Sequence, residues 1–250
     1  MIVASIGTSD PWNAAGLGLD ILALAECGVH PVTVVAGVTA QDRAGIAARH
    51  AVPPDMVAAQ LHALRDAEIG AYRIGALLDV PTLDVVGAHV AAAHAPAVYD
   101  PVLSASGGGD FAGPAFERAL LARLVPHVRL LTPNLAEAAR LTGTAPIGSI
   151  DAMEAAGRAL CAAGAPAVLV KGGHLDGSAV DVLVAGNATT VFESPRLPGS
   201  LRGTGCLLAC AVAARLAHGD ELEAAITFGR AFVREKFADA RRVGGMNLAY

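Results

Sequence analysis

The sequence is poor in charged and aromatic residues, which make up 16% and 4% of its 250 positions. The low charge, together with a hydrophobic fraction of 54%, excludes a disordered or fibrous chain and predicts a large buried core. The formal net charge is −5 and lysine and arginine are not clustered, so we expect no nucleic-acid partner.

Long uncharged apolar runs are also missing. A membrane span needs about 20 such residues, and the alanine-rich stretches here are broken by polar residues. The first ten residues, Met1 to Asp10, lack the basic start and the long apolar core of a signal peptide. The sequence therefore predicts a cytoplasmic protein with no membrane partner.

Cysteine is scarce, with four residues at positions 27, 161, 206 and 210. Their spacing does not form a disulfide framework, and a cytoplasmic chain would keep the thiols reduced. Cys206 and Cys210 have the i,i+4 spacing that a zinc site on a helix would use, but no nearby Cys or His pair completes four ligands. We therefore expect free thiols and no structural zinc.

Short apolar runs alternate with helical patterns from end to end, which predicts one doubly wound α/β domain over residues 1–250 with a mainly parallel sheet. The predicted strands are Ile2–Ile6, Val32–Val38, Tyr72–Leu77, Ala97–Tyr99, Val128–Leu131 and Val168–Val170, followed by a hairpin of Val180–Val184 and Thr189–Phe192. The predicted helices are Gly16–Cys27, Met56–Ala67, Thr82–Ala93, Pro114–Leu124, Leu135–Leu141, Met153–Ala163, Thr204–Ala217 and Glu221–Phe237. In such folds ligands bind beyond the carboxyl ends of the strands.

The start of the helix over Thr204–Ala217 is unusual, because Gly203-Thr204-Gly205-Cys206 places two glycines, a hydroxyl and a thiol there. One interpretation is an ordinary N-terminal cap, since threonine and glycine suit helix starts. The other is an anion site, where unpaired backbone N–H groups meet the helix dipole and glycine lets a phosphate approach. These residues alone leave both interpretations open.

Polar residues follow three of the other predicted strands. Asp100 ends one strand, and Asn134 and Glu137 lie one helical turn apart after the next. Oxygen ligands in these places suit Mg²⁺ held through waters and phosphates, but a helix cap formed by Asn134 and Glu137 explains the pair equally well. Lys171 brings a cation after a later strand, followed by Gly172-Gly173-His174, which is also consistent with an ordinary glycine turn.

Taken in order, these segments resemble the ribokinase-like superfamily, and more closely the hydroxymethylpyrimidine and phosphomethylpyrimidine kinases of thiamin biosynthesis. The resemblance runs from about Ser5 to Phe232. It is carried by Ser9-Asp10-Pro11, Thr39-Ala40-Gln41, Asp100-Pro101-Val102, Thr132-Pro133-Asn134-Leu135-Ala136-Glu137-Ala138, Val170-Lys171-Gly172-Gly173-His174 and Gly203-Thr204-Gly205-Cys206. It implies a three-layer α/β/α fold without a separate lid domain, and ATP-dependent phosphorylation of a hydroxymethyl group.

The resemblance also implies roles for individual residues. Gly203, Thr204 and Gly205 would form the anion hole for the transferring phosphate, with Cys206 beside the attacking hydroxyl. Lys171, with Thr204 and Gly205, would bind ATP, and Asp100, Asn134 and Glu137 would organise Mg²⁺ and its waters. Asp20 and Gln41 would hydrogen-bond the pyrimidine ring, and Val102 would line its pocket; Asp20 could instead be a polar position on the first helix. The family further implies a homodimer.

The chain departs from the family pattern mostly around the expected acceptor pocket. Thr8 and the Trp12-Asn13-Ala14 stretch stand where the family has small residues and glycines, Ala76 stands where it often has methionine, and Arg202 where it often has histidine. Trp12 is the only tryptophan, and it could face the acceptor, cover the pocket or contact another subunit. These departures concern the acceptor and not the reaction. The resemblance favours an aminopyrimidine kinase, and the alternatives are a pyridoxal or related vitamin kinase and a catalytically silent pyrimidine-binding sensor. Phosphorylation of the acceptor's monophosphate stays open.

Overall fold

The computed structural model describes residues 1–43, 45–104, 111, 113–173, 175 and 177–250. The described strands are β1 (Ile2–Ser9), β2 (His30–Gln41), β3 (Ile46–Ala51), β4 (Ile69–Ile74), β5 (Ala97–Tyr99), β6 (Leu130–Leu131), β7 (Ala167–Lys171), β8 (Ala179–Ala185), β9 (Ala188–Ser194), β10 (Arg241–Val243) and β11 (Met246–Leu248). The described helices are α1 (Gly16–Glu26), α2 (Pro54–Ala63), α3 (Val80–Ala92), α4 (Pro114–Arg123), α5 (Leu135–Thr142), α6 (Ile150–Ala162), α7 (Thr204–Ala217) and α8 (Leu222–Ala238), with a 3₁₀ turn at Val125–His127.

Nine of these strands form one sheet in the order β3-β2-β1-β4-β5-β6-β7-β8-β9. The six central strands, β2, β1, β4, β5, β6 and β7, run parallel. Strand β3 at one edge and the β8–β9 hairpin at the other edge are antiparallel to their neighbours. The predicted α/β class with a mainly parallel sheet is confirmed. Parallel strands aligned in this way bring their carboxyl ends to one edge, where ligands bind in open α/β folds.

Helices cover both faces of the sheet and create two separate cores. Alternate residues along a strand point to opposite faces of the sheet. In β1, Ala4 and Ile6 therefore belong to the first core, while Val3 belongs to the second core on the opposite face. The second core is built largely from α7, whose residues Leu207–Ala214 are all buried. This is the expected three-layer arrangement, and it fixes the start of α7 against the sheet.

Several predicted boundaries were wrong. Strand β3 was missed because its exposed sequence, Ile-Ala-Ala-Arg-His-Ala, lacks an apolar face, and the small β10–β11 hairpin was missed because three-residue strands give little periodic signal. Helix α2 begins at Pro54, since proline is tolerated in the first turn of a helix. Strand β4 lies at Ile69–Ile74 and not at Tyr72–Leu77.

Among the described residues, every helix is too short or too polar to cross a membrane.

Candidate active site

The start of α7 presents backbone N–H groups that side chains leave uncapped. Gly203 is the N-cap residue, and within the described chain it makes no side-chain capping bond to the helix. Its backbone is left-handed (φ +76°), and a Cβ added there would lie 2.3 Å from Leu19 Cδ2 and 2.5 Å from the Ala14 carbonyl oxygen. Only glycine fits such a position. The first turn of α7 therefore has the free donors and the positive dipole end that bind an anion.

An ion pair between the half-buried Lys171 and the buried Asp100 lies against this helix start. Lys171 Nζ, at the end of β7, is 2.6 Å from Asp100 Oδ1, just beyond the end of β5. A Cβ on Gly205 would lie 2.9 Å from Lys171 Nζ and 3.1 Å from Asp100 Oδ2, so the glycine backbone packs directly on the pair. Burial lowers the pKa of Lys171, but Asp100 and Glu137 more than offset it, so the net shift is upward and the ammonium stays charged. Three separate segments of the sequence thus meet at one point.

The Cys206 side chain lies in the first turn of α7 and is almost fully buried. Burial raises the pKa of this thiol; the Arg73 guanidinium and a hydrogen bond from the Gly16 backbone N–H act in the opposite direction without reversing the shift. The net shift is upward, which favours the thiol over the thiolate at neutral pH.

Asn134 and Glu137 form a complete capping box at the start of α5. The Glu137 N–H donates to Asn134 Oδ1 at 2.9 Å, and the Asn134 N–H donates to Glu137 Oε2 at 2.8 Å. The capping alternative is thus present in the structure. Glu137 is nevertheless unusual for a cap, because its pKa is raised to about 7. Burial is the largest cause and the Asp100 carboxylate adds to it, while the Lys171 ammonium acts in the opposite direction. The cap therefore also places a carboxyl group within the electrostatic reach of Asp100 and Lys171.

These acidic residues do not form a direct metal cage. Among the described residues, three or more His, Cys, Asp or Glu side chains never converge as metal ligands would. Asp100 already pairs with Lys171, and Asn134 and Glu137 already bond to each other's backbone. The donor set therefore fits Mg²⁺ held through waters and nucleotide phosphates, and it does not fit Mg²⁺ held by three protein ligands.

Asp20 lies one turn into α1, as predicted, and its side chain is enclosed by protein. Its carboxylate is fully buried and accepts from Ser5 Oγ at 2.7 Å and from Cys210 Sγ at 3.3 Å, and Arg73 Nη1 is 2.9 Å away. The bond from Asp20 to the acceptor ring stays a prediction, and so does the alternative of a polar position on the first helix.

Arg73 was missed by the sequence analysis although a signal was present. It is the only charged residue between Ile69 and Leu78, an otherwise apolar run that contains a central strand. Its side chain is only 1% exposed and lies between two carboxylates, with Nη2 3.7 Å from Asp100 Oδ2. A charge buried in a central strand costs several kcal/mol unless it is paired, so its presence should have marked a site.

The residues predicted to bind the acceptor lie near the carboxyl ends of β1, β2, β4 and β5. Gln41 is half-buried at the end of β2, and Val102 is half-buried after Asp100, whose carbonyl accepts from the Val102 N–H at 2.8 Å. Ala76 is buried just after β4. Trp12 is 41% exposed, and its ring lies against the backbone of Gly244, where an added Cβ would approach Cη2 and Cζ3 to 2.8 Å. The predicted His174 lies outside the described residues.

Comparison with known proteins gives this arrangement a context. The model of the phosphomethylpyrimidine kinase family matches residues 10–249. The chain belongs to this family. It is therefore a phosphotransferase of the ribokinase-like fold, as the sequence predicts.

Individual relatives agree with the family. The chain is 34% identical over 245 residues to a hydroxymethylpyrimidine/phosphomethylpyrimidine kinase of Rhizobium meliloti, with 97% of this chain and 92% of that protein covered. It is 38% identical over 249 residues to the protein of the same name in Mycobacterium tuberculosis (97% and 90% covered). The bifunctional thiamine biosynthesis protein ThiED of Geobacter sulfurreducens is 36% identical over 246 residues. The alignment includes 97% of this chain but only 50% of that longer protein.

Solved structures show the same fold. A phosphomethylpyrimidine kinase of Clostridium difficile superimposes with a TM-score of 0.83 at 28% identity, covering 95% of this chain and 99% of that one. A pyridoxal kinase of Bacillus subtilis, solved as an ADP complex, superimposes with a TM-score of 0.92 at 27% identity, covering 99% and 96%. Both kinds of vitamin kinase therefore share this architecture, and the fold by itself does not choose between their acceptors.

Proposed function

We propose that the protein transfers the γ-phosphoryl group of ATP to the hydroxymethyl oxygen of 4-amino-5-hydroxymethyl-2-methylpyrimidine. The observation that carries the proposal is the convergence of Gly205, Lys171 and Asp100, where the free donors of α7 meet a half-buried cation. Whole-length similarity of 34–38% to named hydroxymethylpyrimidine/phosphomethylpyrimidine kinases supports the acceptor.

Phosphoryl transfer asks mainly for positioning and charge stabilisation, because its loose transition state spreads negative charge over the equatorial phosphoryl oxygens. In the proposal the backbone donors of Gly203, Thr204 and Gly205 stabilise that charge, and Lys171 neutralises the phosphates of ATP. The acceptor oxygen forms a bond to the γ-phosphorus while the bond to the leaving oxygen of ADP breaks.

The raised pKa of Cys206 decides how the proton moves in this proposal. A neutral thiol is a poor base, so the acceptor hydroxyl keeps its proton until bond formation is advanced and then passes it to a phosphoryl oxygen. Cys206 contributes by hydrogen-bonding and positioning the hydroxyl. Asp100, Asn134 and Glu137 would hold the waters of Mg²⁺, which supplies further neutralisation of phosphate charge when bound.

The acceptor is tested with purified protein, Mg–ATP and a panel of hydroxymethyl heterocycles. The panel contains the aminopyrimidine, its monophosphate, pyridoxal and pyridoxine, and ADP release is measured together with product mass. We expect the aminopyrimidine to have the highest kcat/KM. Faster turnover of pyridoxal would transfer the proposal to a pyridoxal kinase, whose fold this chain also shares. Absence of turnover, with tight binding of the pyrimidine, would instead support the silent sensor.

A homodimer and a cytoplasmic location complete the proposal, both from the sequence and the family. Light scattering after size-exclusion chromatography tests the first, and fractionation of the source cells tests the second.

A further inference from the structure

Arg73 connects the two acidic groups that lie beneath the phosphate site. Nη1 is 2.9 Å from Asp20 Oδ2, and Nη2 is 3.7 Å from Asp100 Oδ2. Asp100 is held from its other side by Lys171, at 2.6 Å from Oδ1. The charges therefore alternate along one buried line, Asp20, Arg73, Asp100 and Lys171, that ends against the backbone of Gly205.

The guanidinium is anchored on the side away from Lys171. Its partner Asp20 is itself fixed by hydrogen bonds from Ser5 and Cys210, at 2.7 and 3.3 Å. The Gly75 backbone packs so closely on Nη1 that an added Cβ would lie 2.1 Å away. Arg73 thus has one well-defined orientation, which is the condition for a planar fork to position a second carboxylate.

The Asp100 side of the guanidinium is not saturated. Nε and Nη2 of Arg73 have no hydrogen-bond acceptor among the described residues, although the side chain is 1% exposed. An arginine that only neutralised Asp20 would be expected to direct its N–H groups at that carboxylate, because each buried unpaired donor costs about 1–3 kcal/mol. Nε and Nη2 instead lie unpaired in the same buried cluster as Asp100.

We propose that Arg73 is a positioning residue for phosphoryl transfer, which holds Asp100 in register with Lys171 and the start of α7 while Asp20 anchors the guanidinium. The proposal rests on the proposed function for its readout. Its chemistry is electrostatic: Arg73 touches neither acceptor nor ATP, and it acts by fixing Asp100. The second possibility is that Arg73 and Asp20 are merely a buried structural pair.

A double variant separates these two roles. Arg73→Met alone leaves Asp20 as an unpaired buried charge and can unfold the protein for that reason. Arg73→Met combined with Asp20→Asn removes both charges and should restore folding, as measured by thermal unfolding. If Arg73 were only the partner of Asp20, the double variant would also recover its turnover.

Turnover at saturating ATP and acceptor decides the outcome. We expect the folded double variant to have a kcat about tenfold to a hundredfold below wild type, as the loss of a charge-assisted contact predicts, with the KM for the acceptor unchanged. A value at least about fivefold below wild type supports the positioning role, and a value within about fivefold of wild type overturns it. Arg215→Met, which removes a remote pair with Asp220 (Nη2 to Oδ2, 2.7 Å), is the matched control.

Two further arms keep the test decisive. If the double variant does not fold, Arg73→Lys replaces it with the same fivefold criterion, because one ammonium cannot hold two carboxylates as a guanidinium fork does. If the wild type phosphorylates no acceptor in the panel, the proposed function fails independently, and the Kd for Mg–ADP measured by calorimetry replaces kcat. Binding at least about fivefold weaker than wild type then supports the role of Arg73, and binding within that factor overturns it.

Discussion

Replacing Gly205 with alanine perturbs the anion site directly, because the three atoms nearest to the added Cβ belong to the two charged groups, Lys171 and Asp100. The new Cβ would lie 2.9 Å from Lys171 Nζ and 3.1 Å from Asp100 Oδ2. Both distances are shorter than ordinary van der Waals contact, so the lysine end must withdraw by several tenths of an ångström. Such a shift stretches or bends the 2.6 Å hydrogen bond between Lys171 and Asp100 and moves the ammonium away from the start of α7, so complete loss of the bond sets the upper limit of the effect.

The expected size of the effect follows from that contact. A hydrogen bond to a charged group contributes about 1.5–3 kcal/mol, which corresponds to about a tenfold to hundredfold change in rate at 1.36 kcal/mol per decade. Folding should not suffer, since alanine is favoured over glycine within a helix by about 1 kcal/mol. We therefore expect Gly205→Ala to lower kcat and to raise the KM for ATP without lowering the melting temperature. Gly205→Val should be worse, because a branched side chain crowds the donors further.

The assay is steady-state ADP release at varied ATP, with thermal unfolding measured on the same samples. Gly148→Ala is the matched control, because a Cβ at Gly148 would lie in open space. The reasoning is refuted if Gly205→Ala has the kcat and the KM for ATP of the wild type.

Three other predictions test neighbouring parts of the account. Cys206→Ala should lower kcat by about threefold to tenfold, because it removes one hydrogen bond of about 0.5–1.5 kcal/mol to the acceptor hydroxyl. Cys206→Ser should retain more activity, and wild-type turnover in the alanine variant would remove the residue from the reaction. Glu137→Gln keeps the capping box but removes a carboxyl whose pKa is raised from 4.5 to about 7. The folded state binds that proton more tightly, so the free energy of unfolding of the wild type should fall, relative to the variant, as the pH rises from about 4.5 to about 7. Urea titrations without nucleotide or Mg²⁺ measure this, and the same pH dependence for both proteins would contradict it. Glu68→Gln, on the surface, is the control. Trp12→Ala removes the ring that packs on Gly244 and should speed tryptic cleavage at Arg241 and Arg242 in the adjoining hairpin; an unchanged cleavage rate would show that the hairpin does not depend on the indole.

The fold could be predicted largely from pattern, because buried parallel strands and amphipathic helices have distinct periods. The segment that forms α7 was predicted to the residue, since Gly203 marks its start and the run from Cys206 to Ala214 is apolar throughout. Strand β3 could not be predicted, because an edge strand without a buried face is held by backbone bonds to β2 that any sequence can make.

The site was predicted less completely than the fold. Short motifs identify Asp100, Lys171 and Gly205, and the parallel sheet brings them together. Burial and pairing are three-dimensional properties, so the sequence does not show that Asp20 is enclosed by Ser5, Cys210 and Arg73. The pKa of Cys206 was open for the same reason, since only the packed structure shows that the thiol is buried and that burial raises its pKa.

The most direct test of the account is the position of the transferred phosphate. Mg–ATP and 4-amino-5-hydroxymethyl-2-methylpyrimidine are incubated with the wild-type protein and, as a control, with Gly205→Val, and the product is analysed by ³¹P NMR. The account predicts a phosphate monoester whose phosphorus couples to the two methylene protons of the hydroxymethyl group, formed by the wild type and strongly reduced in the variant. Phosphate released to water without such a product, or equal product from both proteins, would contradict it.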